Sequence, residues 1–435
     1  YGGNIKGNGS TNYANNAGYG AMSASGDRNI YCVYVEGNAA PETNYINNEG
    51  AITATGTGDY IYGVYLEGNG STNYVNNYGL IEAEGDEHTY GVRIDGNVAT
   101  NYVNNYGWID VYGNDDDVHG VYIAGNQSIE TNYVINHGSI EAYGEKKRVY
   151  GAYIEGNDST NYVSNYGGGL ISAAGGYGAY DIYGVYIKGN DSDDTNYVSN
   201  WGTIEATGDY DVYGVYIEGN DSHSYVNNYG TGFISGDVGV LVEGSADIEN
   251  WGTIQGTGYG SPAIVLGDRW NEVTLHAGQA LWGDAYGGYT SGYMPGVMYA
   301  DGYGGSGGDD DLYLNADSVG YGAEPCVECG RVYNDAAKTD PADVLAAYQM
   351  QGFDDLYKVG YGAWVITKYD ELGYGARDAG ILDHDLMASE IPAGMDLLIA
   401  EDFEILAGML ATNARIQVGA EFLDDDDDVS GYFHQ

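Results

Sequence analysis

Acidic side chains are the first residues in this sequence that could do chemistry, because several of them occur in short runs. Asp115, Asp116 and Asp117 form one run, and Asp425 and Asp426 lie in another. Carboxylate oxygens are the ligands that Ca²⁺ prefers. We predict a weak calcium site at each run, while the simpler interpretation is that both runs are solvated. We expect no required cofactor, with Ca²⁺ as the one ion that these residues could bind.

A pair of cysteines is the second candidate. Cys326 and Cys329 form a C-x-x-C in the segment EPCVECG. A zinc site would need a second pair of ligands nearby, and a haem attachment would need a histidine directly after the second cysteine. Neither is present in the sequence. We therefore predict a small disulfide loop between Cys326 and Cys329, as is typical of exported proteins.

Motifs for catalysis are missing from the sequence. Apart from Gly304–Gly308 (GGSGG), which lies in a glycine-rich acidic segment typical of a flexible turn, there is no G-x-S-x-G; there is no G-x-x-x-x-G-K-[ST] and no H-E-x-x-H, and the 7 histidines are scattered along the chain. We therefore expect that the protein is not an enzyme.

Charge and composition narrow the classes of partner. Asp and Glu number 64 against 14 Lys and Arg, a formal net charge of −50, and there are 47 tyrosines but only 5 phenylalanines. Such a negative field repels nucleic acids and anionic membrane surfaces, and suits an extracellular or cell-surface location. No run of about 18 apolar residues predicts a membrane span. Tyrosine in place of phenylalanine indicates aromatic rings that keep one polar end hydrated.

Three short phrases repeat along the first part of the chain. The elements that they form must position the acidic and aromatic side chains described above. YGVYIEGN at 213–220 has close copies at 62–69, 150–157 and 183–190. TNYVNN-like phrases begin at Thr43, Thr72 and Thr160, and TIEATG-like phrases at Ala51 and Thr203. Each repeat of about 30 residues therefore reads as three strands separated by Gly- and Asn-rich turns. This pattern predicts an all-β fold, a right-handed parallel β-solenoid with three strands per turn.

Alternation within the first phrase predicts a stripe of tyrosines. Val215 and Ile217 are expected to point inward, and Tyr216 outward, because side chains alternate between the two faces of a strand. The equivalent tyrosines of other turns would form an exposed stripe for self-association or ligand binding: Tyr34, Tyr65, Tyr122, Tyr153, Tyr186 and Tyr216. The TNYVNN phrase predicts a second outward stripe: Tyr45, Tyr74, Tyr102, Tyr133, Tyr162 and Tyr197.

An asparagine precedes an aromatic-Gly pair in most turns. Asparagine tolerates turn conformations, and stacked asparagine amides hydrogen-bond along the axis of a repeat. We predict an internal structural ladder made of Asn48, Asn77, Asn105, Asn136, Asn165, Asn200 and Asn228.

The phrases VSNWGTIEATGDYDVYGVYIEGN and IENWGTIQGTG, and later GGDDDLYLN and GFDDLYKVGYGAWVIT, occur in an order that resembles the passenger domains of Gram-negative autotransporter adhesins. The resemblance covers nearly the whole chain and implies an exported β-helix of a cell-surface adhesin. The sequence departs from that family in placing tyrosine where serine or threonine is usual.

We divide the chain into regular solenoid turns at 1–252, turns with insertions and the Cys-x-x-Cys loop at 253–345, and C-terminal solenoid turns or a cap at 346–435. The function expected from the sequence is a non-enzymatic extracellular structural or adhesive rod. It would self-associate into a surface fibre or matrix through its tyrosine stripes. Its partners would be other copies of the chain, with glycans or host-cell surfaces as further partners. The alternative is a polysaccharide-binding or polysaccharide-cleaving β-helix enzyme.

Overall fold

Parallel β-strands stack turn upon turn in the computed structural model of the protein. It describes residues 2–259 apart from 8–10, 38–41, 126–129, 190–194 and 220–221. After residue 259 it describes 262–267, 271–275, 280–284, 298–299, 310–315, 350–351, 355–359, 364–366, 396–399 and 415–418. The chain divides into two compact units, Tyr1–Ser245 and Ala246–Gln435. The boundaries at 252 and 345 stay predictions.

The first unit is a parallel β-solenoid in which each turn of about 30 residues contributes strands to three faces, as predicted. Right-handed winding stays a prediction. The strands of the first face carry the YGVYIEGN phrase: Gly3–Lys6, Ile30–Glu36, Tyr60–Glu67, His88–Asp95, Val118–Ala124, Val212–Glu218 and Val238–Val242. Those of the second face carry TNYVNN: Asn12–Asn16, Glu42–Asn48, Ser71–Asn77, Thr100–Asn105, Glu130–Asn136, Ser159–Asn165, Thr195–Asn200 and His223–Asn228.

The third face carries the TIEATG phrase. In most turns its strand is separate from the strand of the first face, and in two turns the two strands are continuous. Its separate strands are Ala21–Gly26, Ala51–Gly56, Leu80–Gly85, Trp108–Gly113, Thr203–Thr207 and Phe233–Gly236. Two longer strands, Ser139–Glu155 and Leu170–Lys188, run through both the third and the first face. The chain turns between faces at Gly-rich segments. Glycine is required there because a side chain would collide with the backbone of the neighbouring turn.

Identical positions of the repeat pair directly with each other. Tyr74 pairs with Tyr102, and Val185 with Val215, so each phrase lies beside its own copy in the next turn. The core of the first unit is filled by inward Val and Ile side chains such as Val215 and Ile217, both of which have no exposed surface. Their burial confirms the predicted alternation, and stacking explains the repetition because one turn alone cannot bury its apolar side.

The second unit is also built of short strands. They are Thr253–Tyr259, Ile264–Leu266, Asn271–Leu275, Ala280–Asp284, Met298–Tyr299, Asp310–Asn315, Met350–Gln351, Asp355–Val359, Trp364–Ile366, Asp396–Ile399 and Arg415–Val418, with Ser245–Asn250 at the boundary. Pairing is parallel between Asn271–Leu275 and Asp310–Asn315, and antiparallel between Asp355–Val359 and Trp364–Ile366.

Candidate functional site

Two columns of aromatic rings run along the first face, and the glycine of the Y-G-x-Y phrase brings them together. A strand without a bend would place Tyr213 and Tyr216 on opposite sides, because they are three residues apart. A β-carbon on Gly214 would lie 2.6 Å from the carbonyl oxygen of Gly239, so only glycine fits at this close approach. Both tyrosines lie outside the Val and Ile core, and their rings pack with centroids 5.3 Å apart.

We call this pair of columns the double column. Its inner column is Tyr31, Tyr62, Tyr90, His119, Tyr150, Tyr183 and Tyr213, with successive ring centroids 4.6–5.3 Å apart. Its outer column is the predicted stripe, with Arg93 in the place of one tyrosine: Tyr34, Tyr65, Arg93, Tyr122, Tyr153, Tyr186 and Tyr216.

The prediction that the outer column is exposed is wrong. Tyr34 and Tyr186 are only 7% and 9% exposed, and Tyr65, Tyr122, Tyr153 and Tyr216 are half-buried. The inner tyrosines cover one side of these rings, and the neighbouring turns cover their faces. The alternation of side chains along the strand predicts that the outer-column tyrosines point outward. It does not predict the inner-column ring that packs beside each of them.

Carboxylates accept hydrogen bonds from the outer column. The hydroxyl of Tyr65 donates to Oδ2 of Asp95 at 2.7 Å, and that of Tyr122 to Oε2 of Glu155 at 2.9 Å. Tyr186 and Tyr216 donate in the same way to Glu218 and Glu243, and Tyr34 donates to Glu36 and Glu67. Each acceptor belongs to the next turn, apart from Glu36.

Burial keeps these phenols protonated. It raises the pKa of Tyr90 to about 12. Burial, followed by the charge of Asp95 and the hydrogen bond to it, raises the pKa of Tyr65 further. Burial lowers the pKa of His119, which is only 4% exposed and lies stacked between Tyr90 and Tyr150. The double column is therefore neutral near pH 7 except at Arg93.

Arg93 fits the column through its planar cation. Its guanidinium carbon lies 5.1 Å from the ring centre of Tyr90 and 5.0 Å from that of Tyr122. Its Nε donates to Asp95 at 3.0 Å. A guanidinium stacks on aromatic faces, so the substitution keeps the column packed.

The predicted asparagine ladder is confirmed as internal and continuous. Nδ2 of Asn77 donates to Oδ1 of Asn105 at 2.8 Å, and Asn105 donates to Asn136 at 2.9 Å. Asn105 also donates to the carbonyl oxygen of Ser139 in the next turn. The same links join every neighbouring pair of the ladder, whose members have no exposed surface: Asn48, Asn77, Asn105, Asn136, Asn165, Asn200 and Asn228.

A second internal ladder of asparagines was not predicted from the sequence, although the alternation of inward and outward residues in TNYVNN implies it. The first asparagine of the phrase shares the inward face with Val, two residues later. Nδ2 of Asn73 donates to Oδ1 of Asn101 at 2.8 Å and to the carbonyl oxygen of Gly68. A β-carbon on Gly68 would lie 2.0 Å from Oδ1 of Asn73, which explains the Gly of the Gly-Asn turn. The ladder comprises Asn12, Asn44, Asn73, Asn101, Asn132, Asn161 and Asn196.

The predicted calcium run at Asp115, Asp116 and Asp117 faces three cations of the next turn. Lys146 Nζ lies 2.5 Å from Asp115, Lys147 Nζ lies 2.7 Å from Asp116, and Arg148 holds Asp117 through two nitrogens. A calcium ion would have to compete with these cations for the same carboxylate oxygens. Calcium binding at this run stays a prediction.

One histidine adds to this cluster. Nδ1 of His88 lies 3.5 Å from Asp116, and ligand atoms of His88, Asp116 and Asp117 all lie within 4.8 Å of one another. The arrangement could hold a divalent ion only after Lys147 and Arg148 moved aside. The other predicted sites, Cys326, Cys329, Asp425 and Asp426, lie outside the described residues.

An uncharged surface covers the second face from Asn12 to Asn228, and we call it the uncharged face. The first strand presents Tyr13 and Asn15 outward. Each later strand presents a threonine, a tyrosine and then an asparagine, serine or isoleucine; in the last strand His223 replaces the threonine. The tyrosines are the second predicted stripe, which is confirmed as outward: Tyr45, Tyr74, Tyr102, Tyr133, Tyr162 and Tyr197. Their rings, with those of Tyr13 and Tyr225, stack at 4.5–5.0 Å within 8° of parallel.

The aromatic residues after the asparagine ladder form a row beside this face, which we call the corner row. Tyr78, Tyr106 and Tyr166 are 54%, 48% and 38% exposed. With His137, Trp201 and Tyr229 they stack at centroid distances of 4.1–5.2 Å. The most exposed continuous aromatic stack thus lies at this corner and not on the first face.

Comparisons add no relative: no family model, no curated protein and no solved structure matches the chain. Among the described residues there is no helix that is long and apolar enough to cross a membrane.

Proposed function

We propose that this protein is a non-enzymatic extracellular structural or adhesive protein whose copies associate through the uncharged face. One observation carries the proposal. The chain has a net charge of −50, yet the outward side chains that the structure describes on the eight stacked strands of this face carry no carboxylate. The first and third faces, in contrast, present acidic residues such as Glu67, Glu82 and Asp110. Two copies can meet without opposing carboxylates only where such groups are missing.

The size of the uncharged face suits a stable contact. A strand of about six residues is roughly 20 Å long, and eight strands at ~4.8 Å spacing extend over about 38 Å. The product is roughly 750 Å², close to the ~800 Å² that each partner buries in a standard interface. Tyrosine suits such a surface because it offers a large contact area and stays hydrated when unbound. The corner row enlarges the apolar margin of this surface.

Binding of glycans by ring stacking is less well supported. A sugar ring stacks on the open face of an aromatic ring. In the uncharged face and in the corner row, the ring faces already lie against their neighbours along the column. Only ring edges and hydroxyls point to solvent, so hydrogen bonds to a second protein surface are favoured over sugar stacking.

The location and the assembly type belong to this proposal. A surface fibre or matrix follows if repeated contacts along the face add up. The order of phrases that resembles autotransporter adhesins supports export to the cell surface, and the acidic composition supports screening by Ca²⁺ or by salt.

The test introduces charge on the uncharged face. Thr72→Glu with Thr131→Glu adds two carboxylates at half-buried outward positions two turns apart. We expect wild-type protein to associate in analytical ultracentrifugation at physiological salt. The double variant should remain monomeric, because the two added charges oppose their equivalents in the partner.

The matched control adds the same charge elsewhere. Ala174→Glu with Thr203→Glu places two carboxylates at outward, half-buried positions of the third face. This variant should associate like the wild type. Equal loss of association in both variants would mean that net charge, and not this face, governs assembly, and the proposal would be wrong.

A further inference from the structure

We propose that the double column is a path for electron holes, which carries oxidising equivalents along the solenoid from tyrosine to tyrosine. This activity is independent of self-association, because it uses the covered rings of the first face. Phenols can lose one electron at potentials that strong one-electron oxidants reach. Rings whose centroids are about 5 Å apart are in van der Waals contact, and electron exchange between groups in contact is fast.

Continuity of phenols is the first observation behind the proposal. The two places that lack a tyrosine, Arg93 and His119, lie in consecutive turns but in different columns. Tyr90 stands beside Arg93, and Tyr122 stands beside His119. Tyr90 and Tyr122 are in edge contact at 5.9 Å between centroids. All seven turns therefore contain at least one phenol, and phenols of neighbouring turns are in contact at each of the six steps between them: Tyr31 and Tyr34, Tyr62 and Tyr65, Tyr90, Tyr122, Tyr150 and Tyr153, Tyr183 and Tyr186, Tyr213 and Tyr216.

The second observation is a proton acceptor for the outer column. Oxidation of a phenol requires that its proton leave, since the phenol radical cation is a strong acid. The hydroxyls of Tyr65, Tyr122, Tyr186 and Tyr216 already donate to carboxylates. Short-range proton transfer along such a bond needs no movement of the chain.

A tyrosine of the outer column that donates to a carboxylate gives one electron to a high-potential one-electron acceptor, such as a metal complex in an oxidised state, and its proton moves to that carboxylate. A neutral tyrosyl radical and a carboxylic acid result. An electron from the next carboxylate-paired tyrosine then restores the first tyrosine, which takes its proton back, and the radical advances along the column. Tyr90 keeps its proton and serves as the ring through which the electron tunnels between Tyr65 and Tyr122. The acceptor is reduced by one electron in total.

Burial is the third observation, because it separates the radical from reductants in water. Tyr150, Tyr183 and Tyr186 are between 3% and 9% exposed and form one cluster with Tyr153, Tyr213 and Tyr216. Exposed tyrosyl radicals would couple with one another or be quenched by solutes. Covered rings favour transfer to the next ring instead.

The experiment uses the full chain with an oxidant at one end and a trap at the other. Nζ of Lys6 lies 5.0 Å from the ring centre of Tyr34, so Lys6→Cys can carry a ruthenium polypyridyl photo-oxidant next to the first turn. Cys326 and Cys329 are replaced by Ser to direct the label, and the third cysteine, Cys32, has no exposed surface that the label could reach. Tyr216 is replaced by 3-aminotyrosine, which is more easily oxidised than tyrosine. Six turns of ~4.8 Å separate the two ends by roughly 30 Å, too far for a single tunnelling step on the millisecond scale. After a flash with a sacrificial electron acceptor, we expect the aminotyrosyl radical in the electron paramagnetic resonance spectrum.

Matched variants decide the path. Tyr150→Phe with Tyr153→Phe keeps the stacked rings but removes every phenol from one turn of the double column, and the trap radical should be lost. Tyr183→Phe with Tyr186→Phe provides an independent break if the first variant folds poorly by circular dichroism. Tyr133→Phe with Tyr162→Phe removes as many phenols from the uncharged face, and the trap radical should persist. A trap radical that is absent from the unbroken chain, or that survives both breaks, would overturn the proposal.

Discussion

At the residue scale, buried amides account for the repeated asparagines better than any chemical role does. Each amide of the two internal ladders, apart from the last one of each, donates to the amide of the next turn and to a backbone carbonyl. A buried polar group is expensive unless it is hydrogen-bonded, and a ladder satisfies every member except those at its ends. The same ladder fixes the register, because a slip by one residue would bury tyrosine in place of asparagine.

Replacement of a ladder amide should be much more damaging than replacement of its outward neighbour. Asn105→Ala removes the buried hydrogen bonds that Asn105 makes with Asn77, Asn136 and Ser139, and we expect a loss of about 2–4 kcal/mol in the free energy of unfolding. Asn104 also donates to an asparagine, Asn76, but faces outward. Asn104→Ala should cost only about 0.5–1 kcal/mol. Urea unfolding of both variants measures the difference, and similar losses would argue against a structural role for burial of the ladder.

Stability should fall at alkaline pH. Burial raises the pKa of Tyr90 to about 12, against about 10 in an unfolded chain. The unfolded state therefore loses its proton first as pH rises. The contribution of Tyr90 to stability is complete below pH ~10 and is lost as pH approaches ~12, a change of about 2–3 kcal/mol.

Urea unfolding between pH 8 and pH 12 measures this effect, with Tyr90→Phe as the control that should show a weaker pH dependence. Other members of the double column have pKa values raised by burial and add to the slope in the wild type. Stability that stays constant up to pH 12 would show that these phenols ionise as freely in the folded state as in the unfolded state.

At the element scale, the sequence was sufficient for the strands and for part of the side-chain directions. Alternation in GVYIEGN and TNYVNN correctly predicted the inward Val and Ile and the outward tyrosines of both phrases. It could not predict that Gly63 or Gly214 bends the strand, because the bend depends on a close approach to the backbone of the next turn. That bend places the inner column beside the outer column and covers it. Burial of the outer column therefore could not be predicted from the two-residue alternation alone.

Side-chain contacts between neighbouring turns are the other feature that the sequence did not predict. The acidic run Asp115–Asp117 and the basic run Lys146–Arg148 are about one repeat apart, and the bond pattern that joins them depends on the register between the two strands. From one turn alone, the aspartates looked like metal ligands. From two turns, they are partners of cations.

Loss of the cation beside the most buried of these aspartates should matter more than loss of an exposed one. The Asp117 side chain is 8% exposed and Arg148 contacts it through two nitrogens. Arg148→Met should cost about 1–2 kcal/mol in unfolding free energy, since a carboxylate remains without its partner. Lys146→Met removes an exposed pair with Asp115 and should leave the free energy of unfolding nearly unchanged, because water screens this pair. Equal values from thermal or urea unfolding would show that burial of Asp117 has no energetic consequence.

At the scale of the whole molecule, the distribution of charge is the feature that connects the fold with its proposed role. A net charge of −50 keeps copies apart wherever carboxylates face outward. The uncharged face lies between faces that carry those carboxylates, and its tyrosine column runs in register over eight strands, beside a column that is mostly threonine and a column of asparagine, serine or isoleucine. Identical columns on two copies can pack face to face, at the ~10 Å separation of stacked sheets. The account therefore depends on which face lies at the contact between copies.

Distances between spin labels on associated copies test this most directly. One nitroxide is attached to the full chain at Asn104→Cys on the uncharged face, or at Glu141→Cys on the third face, with Cys326 and Cys329 replaced by Ser; the third cysteine, Cys32, has no exposed surface and does not take the label. Double electron–electron resonance then reports the label-to-label distance between copies. We predict a short distance for position 104, on the order of the ~10 Å between packed sheets plus two label arms, and a clearly longer one for position 141. A shorter distance for position 141 than for position 104 would contradict the account.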